Sequence, residues 1–372
     1  MRIVHIITGL EDGGAEATLY NFVNNSDTNK HFIISLRGEG KYGKKFRDKG
    51  FEIFCINLSL DFSFLKKIIN LAKIIKMHDP DIIQTWMYHA NLIGGITSYL
   101  VNKRNIVWGI HHSTLSPKLN KKTTIIIAKL NGLLSHIVPK KIIMCAKRSK
   151  IEHLKYGFNK RKIVIINNGI DTKKFKRSFE LRRRYREKLN INIKENLYGT
   201  VARHDPSKDH ITLFKTINLI KKTGLKFKYL LVGKNIDKKN LQLKKLINKY
   251  SLQEIIILKG IENDICAVMN AIDLHITSSL SEAFPLVVLE SMACGTLCIS
   301  TDVGDVKDIL RNKKFISKIE DENSLFKAFQ EFNKLSIKEK NTISIINEKI
   351  VDKDFSIKKM SDSYLKIYKD LI

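Results

Sequence analysis

Short apolar runs bounded by turn residues recur along the chain, with amphipathic stretches between them. That alternation is the rhythm of βαβ units. It predicts strands at 3–7, 32–36, 52–56, 82–84, 106–110, 142–144 and 163–165, separated by helices near 15–25, 62–78, 90–101, 122–135 and 147–156. The pattern then restarts. Strands are expected at 199–202, 229–232, 255–258, 274–277, 297–300 and 315–316, with helices near 209–222, 238–250, 264–270, 286–294 and 321–333. Two parallel, doubly wound sheets in series follow from this order. The turn-rich break Asn167-Asn168-Gly169-Ile170-Asp171 divides them, giving domains at 1–170 and 171–354. The tail 355–372 keeps helical spacing at Phe355, Met360, Tyr364, Ile367 and Leu371 and is expected to pack back on the first domain. In sheets of this kind ligands bind at the carboxyl ends of strands, so an active site is expected in a cleft between the two domains.

A length of 372 residues fits two cores better than one. No apolar run approaches the ~18 residues of a membrane span. The N-terminus meets Glu11 and Asp12 too soon for a secretory signal and reads as a first strand. The five cysteines, Cys55, Cys145, Cys266, Cys294 and Cys298, are scattered in apolar runs, as reduced core residues of a cytoplasmic protein are.

Charge changes the picture more. The formal net charge is +29, and from Ile82 through Ile151 there is no Asp or Glu. The same stretch carries Lys103, Arg104, Lys118, Lys121, Lys122, Lys129, Lys140, Lys141, Lys147, Arg148 and Lys150. A second basic cluster spans Lys173 to Arg177 and Arg182 to Arg186. Such a surface attracts nucleic acid, an anionic membrane or an acidic substrate; a Lys- and Ile-rich composition alone would also produce it. Aromatic residues are not interleaved with the bases as stacking platforms, and no helix-turn-helix, zinc or RNP-type motif is present, which argues against nucleic acid.

The candidate chemistry sits where strands give way to loops. After the first strand, Gly13-Gly14-Ala15-Glu16 opens a helix; adjacent glycines let a backbone approach an anion, and equally serve a tight turn. His111 and His112 follow the strand at 106–110, placed to hydrogen-bond a sugar hydroxyl or to be satisfied in the core. In the second half Arg203 and Lys208 flank a strand-to-helix loop, as the clamp of a diphosphate or as solvated bases. Gly233 ends another strand. The densest signal is Ser281 to Gly295, with Glu282 in a loop, Pro285 suited to the first helical position, a helix from about Leu286, and Glu290 within it. Free amides at that N-terminus and two carboxylates suit a polyhydroxylated anion; two incidental glutamates on a buried helix would look the same.

In this order the loops resemble the retaining GT-B glycosyltransferases of family 4 (glycosyl transferases group 1), over nearly the whole chain. The segment from Trp86 to Gly95, with Trp108-Gly109-Ile110-His111-His112-Ser113, resembles a bacterial branch active in capsule and lipopolysaccharide assembly. The resemblance implies an α/β GT-B fold, two Rossmann-like domains facing a central cleft. It implies transfer of a hexose or N-acetylhexosamine from a nucleoside-diphosphate sugar, UDP-sugar favoured, to a glycan or lipid-linked hydroxyl. His111, Glu282, Arg203 and Lys208 would be catalytic; Gly14, Gly233, Phe284, Pro285, Leu286 and Glu290 would bind the donor; Gly13, Ala15 and Glu16 would form the acceptor-side loop. Within that scheme Glu282 contacts the sugar and Glu290 the ribose. Because protein cations hold the diphosphate, neither metal nor cofactor is expected. The basic first domain would dock on the inner face of the cytoplasmic membrane, and nucleic acid would not be a partner. Ala283 stands where many members have Gly, a departure in which the small residue either preserves the loop or narrows the sugar pocket. The competing readings are a GT-B enzyme of other chemistry, such as a sugar-nucleotide epimerase, and a basic nucleic-acid-binding protein.

Overall fold

The computed structural model describes residues 1–11, 13–26, 29–59, 61–115 and 120–372. Asp12 and Lys118 lie outside the described residues. The chain divides into two compact units, Met1–Gly169 with Ile357–Ile372, and Ile170–Ser356.

Unit 1 runs β1 (Arg2–Ile7), α1 (Gly14–Val23), β2 (Lys30–Ser35), α2 (Gly40–Arg47), β3 (Glu52–Cys55), α3 (Phe64–His78), β4 (Ile82–Trp86), α4 (Tyr88–Leu100), β5 (Ile106–Ile110), α5 (Lys122–Leu134), β6 (Lys141–Met144), α6 (Lys147–Leu154) and β7 (Ile163–Ile165). Unit 2 continues with α7 (Phe179–Lys188), β8 (Leu197–Val201), α8 (His210–Lys222), β9 (Lys228–Val232), α9 (Leu241–Lys249), β10 (Ile256–Leu258), α10 (Ile265–Ala271), β11 (Leu274–Thr277), α11 (Leu286–Ala293), β12 (Leu297–Thr301), α12 (Val306–Leu310), β13 (Ile316–Ser317), α13 (Glu322–Lys334) and α14 (Ile337–Phe355). The last helix, α15 (Ile357–Lys369), belongs to unit 1. Phe355 therefore ends α14 in unit 2 instead of opening the tail helix.

Both sheets are wholly parallel. Their strand orders are β3-β2-β1-β4-β5-β6-β7 and β10-β9-β8-β11-β12-β13. Each order reverses once, between β1 and β4 and between β8 and β11, and at such a switch point the flanking loops part to leave a crevice at the carboxyl ends. Buried on both faces, β4, β5, β8 and β12 have every residue buried, as covered parallel strands require.

In unit 1 one core packs α3, α4 and α5 on the sheet through Leu71, Ile75, Ala90 and Ala128. The other packs α1 and α15 through Leu19, Phe22, Met360, Tyr364 and Tyr368. The hydroxyl of Tyr368 donates to Gln84 Oε1 at 2.9 Å, and Tyr364 packs on Phe22 with centroids 5.1 Å apart. Burying rings of this size contributes roughly 2–3 kcal/mol each.

Two arginines of the second basic cluster are not free surface, although Lys173, Lys174, Lys176, Arg183 and Arg184 are exposed. Arg186 is 1% exposed and bonds Asp273 at 2.8 Å, while Arg182 bonds the same carboxylate at 2.5 Å. Further guanidinium donors are spent on the carbonyls of Ala271, Asn192 and Glu195. These two arginines fasten α7 to the amino ends of the central strands β8 and β11, as planar five-donor groups do when buried.

Candidate functional site

The unit 2 site is built at the β8/β11 switch point. Leaving β8, the chain passes Arg203 and enters a short 3₁₀ turn, Pro206–Lys208, capped by Asp205, which accepts from Ser207 N at 3.0 Å. Asp209 follows at φ 45°, its carboxylate accepting from Thr212 N to cap α8. Leaving β11, Ser278 donates to the carbonyl of Lys208 at 2.8 Å, and Leu280 N to that of Ser207 at 2.7 Å. These bonds lock the two loops together.

Lys208 Nζ bonds Glu282 Oε1, with the two side chains only 15% and 17% exposed. Ser279 Oγ donates to the same oxygen at 2.8 Å. Arg203 reaches Asp205 at 3.3 Å and stays exposed. The lysine and the glutamate of the predicted site thus neutralise each other, which spares a partly buried charge the penalty of standing alone.

Gly233, after β9, has φ 150°, and a Cβ there would fall on the carbonyl of Ala202. It lets the β9 loop lie against Ala202 and Arg203. A second glycine does the same on the far side of Glu282: Gly304, at φ 51°, would place a Cβ 2.8 Å from the carbonyls of Glu282 and Ala283. Sequence reasoning missed Gly304. Its signal was Asp302-Val303-Gly304-Asp305 directly after an apolar strand.

Helix α11 begins at Leu286, as expected, but Pro285 occupies the cap position with ψ 92° instead of the first helical position. The amides of the following turn, beginning with Leu286, carry the N-terminal partial charge, and Phe284 is buried against Phe355 at 5.8 Å. Glu290 lies in the second turn, partly buried. Burial pushes its carboxyl up to about 7, opposed by the charge of Lys174 and reinforced by Cys266. Glu282 and Glu290 therefore have different neighbours.

The unit 1 site lies at the β1/β4 switch point and on the adjoining β5. Thr8, one residue past β1, has a buried hydroxyl with no partner. His111, one residue past β5, is 9% exposed, and neither ring nitrogen has a partner. Burial lowers it to about 4, Asn168 opposing, so the ring is neutral. The Asn168 carboxamide oxygen is also unpartnered. An unmade bond at a buried polar atom costs about 1–3 kcal/mol, and these three residues, after β1, β5 and β7, keep hydrogen-bonding capacity open. His111 stacks on Trp86 at 5.2 Å and 19°. His112 instead faces Tyr88 and Asn120.

At the N-terminus of α1, Gly13 is extended, φ −158°, and caps the helix that Gly14 begins. Neither backbone conformation demands glycine. What glycine supplies is room, for a Cβ on Gly14 would meet nothing within 4 Å. Ala15 is buried in the first turn, and Glu16 lies in it. Among the described residues no three His, Cys, Asp or Glu side chains converge as metal ligands.

Two family models match the chain in succession. Glycosyltransferase Family 4 covers residues 12–174, and Glycosyl transferases group 1 covers 182–348. Among curated proteins, the chain is similar to the UDP-Gal:alpha-D-GlcNAc-diphosphoundecaprenol alpha-1,3-galactosyltransferase of Escherichia coli, 24% identical over 86% of this chain and 82% of the relative. It is also similar to the N,N'-diacetylbacillosaminyl-diphospho-undecaprenol alpha-1,3-N-acetylgalactosaminyltransferase of Campylobacter jejuni, 23% identical over 80% and 81%. Among solved structures, Anabaena HepE in complex with UDP superposes with a TM-score of 0.86 at 18% identity, both chains covered in full.

Proposed function

We infer that this chain, which belongs to the family 4 glycosyltransferases of GT-B fold, transfers a hexose or N-acetylhexosamine from a UDP-sugar to a hydroxyl of a lipid-linked glycan. The transfer retains anomeric configuration, needs no metal, and serves surface polysaccharide assembly. The observation that carries the reading is the Lys208–Glu282 pair at the β8/β11 switch point, beside Arg203. An incoming diphosphate competes for the ammonium, and Glu282, once released, accepts from a sugar hydroxyl. Lys208 and Arg203 then neutralise the charge that builds on the leaving diphosphate. The amides from Leu286 hold sugar oxygens. Ionised Glu290 accepts from the ribose. Neutral His111, with unpartnered nitrogens, bonds the sugar or its attacking hydroxyl. The relatives support the substrate class: both curated proteins named above carry diphosphoundecaprenol acceptors in their names, and HepE binds UDP and UDP-glucose.

The acceptor's lipid anchor directs attention to α3, α4 and α5, which form one helical layer of unit 1. None of the three carries an acidic residue. Their outer faces expose Leu65 (69%), Ile126 (57%) and Leu133 (69%) among Lys66, Lys73, Lys76, Lys122 and Lys129. Apolar side chains within a cationic field suit the interface of an anionic leaflet, and no described helix is long and apolar enough to cross a membrane. The enzyme works as a peripheral protein on the cytoplasmic face.

The test is transfer from a panel of UDP-, GDP- and ADP-sugars to a polyprenyl-diphosphate sugar, with and without EDTA, the anomer assigned by NMR. Turnover of a donor with no acceptor present would point to an epimerase, and absence of transfer from every donor would sink the reading.

A further inference from the structure

Beneath His111 lies a polar chain that the transfer chemistry does not use. Trp86 ends β4, and its Nε1 sits 3.3 Å from His5 Nδ1 in the middle of β1. His5 Nε2 is 2.9 Å from His31 Nδ1 on β2, and His31 Nε2 is 2.7 Å from Ser26 Oγ. Ser26 Oγ donates in turn to the carbonyl of Phe22 in α1 at 3.0 Å. All four side chains are buried, His5 and Trp86 completely.

Only one assignment of protons satisfies the chain. An indole N–H donates and never accepts, so His5 Nδ1 is the acceptor and its proton resides on Nε2. That proton goes to His31 Nδ1, which places the His31 proton on Nε2, facing Ser26. Every donor is used and both imidazoles are neutral, in keeping with their burial, which lowers both. A purely apolar strand would fill this space at less cost, since each buried polar group must be matched. What the chain adds is a fixed orientation for the Trp86 ring.

That orientation bears on the site directly above. No hydrogen bond of normal geometry holds the His111 ring, although the Asn168 side chain lies near it, so its plane is set mainly by packing, and the nearly parallel ring against it is Trp86. Trp86 also stacks on Tyr364 of α15, at 5.8 Å and 17°. The residue after Trp86 carries a second sign of constraint. Met87 has φ 72° and ψ 165° at the elbow between β4 and α4, a conformation that costs a non-glycine residue about 1–3 kcal/mol and persists only when its surroundings enforce it. Met87 N donates to the Gly109 carbonyl at 2.9 Å, tying the elbow to the strand that carries His111.

We propose that His5 is a positioning residue for sugar transfer: by accepting from Trp86 it fixes the indole on which His111 stacks, and so aims the His111 nitrogens. This rests on the reading of His111 as the group beside the reacting sugar. The functional consequence lies in kcat, because a misaimed ring loses contacts in the transition state while the diphosphate and ribose contacts of unit 2 are untouched.

The experiment is a double-mutant cycle in the full chain, read as kcat and donor KM with a lipid-linked acceptor. His111→Ala sets the scale. His5→Leu removes the acceptor for Trp86 and is expected to lower kcat by about tenfold with donor KM within about twofold, since small misplacements of a reacting group cost that much or more. His5→Asn keeps an oxygen near the position of Nδ1 and is expected to restore most of kcat, although it cuts the link to His31 and melts at lower temperature. In a Trp86→Phe background, His5→Leu is expected to cost less than twofold further, because its effect runs through the indole. The inference is overturned if His5→Leu lowers only the melting temperature, if His5→Asn is as slow as His5→Leu, or if the two substitutions simply add. Should His111→Ala itself leave kcat unchanged, the reading of His111 falls, and this inference with it; if His111→Ala is slow and His5→Leu is not, only the inference falls.

Discussion

The two units share an architecture and differ in how they prepare for a ligand. At the β8/β11 switch point of unit 2 the functional groups are charged and already paired, Lys208 with Glu282 and Arg203 with Asp205. In unit 1, after β1, β5 and β7, they are neutral, with the Thr8 hydroxyl, the His111 ring nitrogens and the Asn168 carboxamide oxygen lacking partners, and Trp86 stacked on His111. The difference fits the work proposed for each. A cation that will meet a diphosphate must not stand alone while the site is empty, and exchanging one anion for another keeps it satisfied throughout. A sugar hydroxyl brings no charge, so it is best met by neutral groups whose bonds are still open.

The most severe way to break the comparison is to remove the unit 2 cation. Lys208→Ala is expected to lower kcat/KM by about 10²–10³-fold, checked by steady-state transfer kinetics. It also strands the Glu282 carboxylate, so Lys208→Met/Glu282→Gln controls for that charge; if this double substitution recovers the rate, the lysine does not serve the leaving diphosphate.

A smaller effect is expected at Glu290. Burial pushes its carboxyl up to about 7, against about 4.3 for an unperturbed glutamate. Between those values the folded state holds a proton that the unfolded chain has released, so stability of the ligand-free enzyme falls as pH rises from about 4.3 to 7. UDP binding, which uses the ionised form, strengthens over the same range. Glu290→Gln is expected to flatten both curves and to weaken UDP about tenfold at pH 8, measured by calorimetry and chemical denaturation. Curves that keep their slopes in the variant would assign the titration to another group.

The surface contrast between units is the mildest to probe. Neutralising one lysine, Lys129→Gln, is expected to weaken binding to vesicles with one third phosphatidylglycerol by about fivefold, at about 1 kcal/mol per basic residue near the surface. Transfer to a short, water-soluble acceptor should hold within about twofold. Equal sedimentation of both proteins with these vesicles would leave the helical layer without a membrane role.

How much of this could be read in advance depends on whether the signal was local. The strands were legible because each buried parallel strand is a short apolar run. Helices α2, α7 and α14 were not. Helix α2 buries a single large side chain, Phe46. The buried side of α14 includes Ser344 and Asn347 beside Val351 and Phe355, which dilutes the apolar period. Helix α7 looked like a solvated basic patch because the partner of Arg182 and Arg186, Asp273, lies far along the chain. The same limit holds at the site. Lys208 and Glu282 stood out singly at strand ends, but their pairing spans 74 residues. Likewise His5 gave no sign of reaching Trp86, 81 residues away.

The return of α15 to unit 1 has a consequence for the order of assembly. During synthesis, residues 170–356 emerge as a complete unit with its own sheet and cores. Unit 1, although it is begun first, lacks Met360, Tyr364 and Tyr368 until residues 357–372 leave the ribosome. Domains usually mature from the N-terminus onward as they are made; here the earlier unit waits for the later one. Trp86 remains without the ring of Tyr364 until then, so His111 gains its setting only after unit 2 has been made, and a chain cut at Ser356 would keep unit 2 yet expose the unfinished face of unit 1.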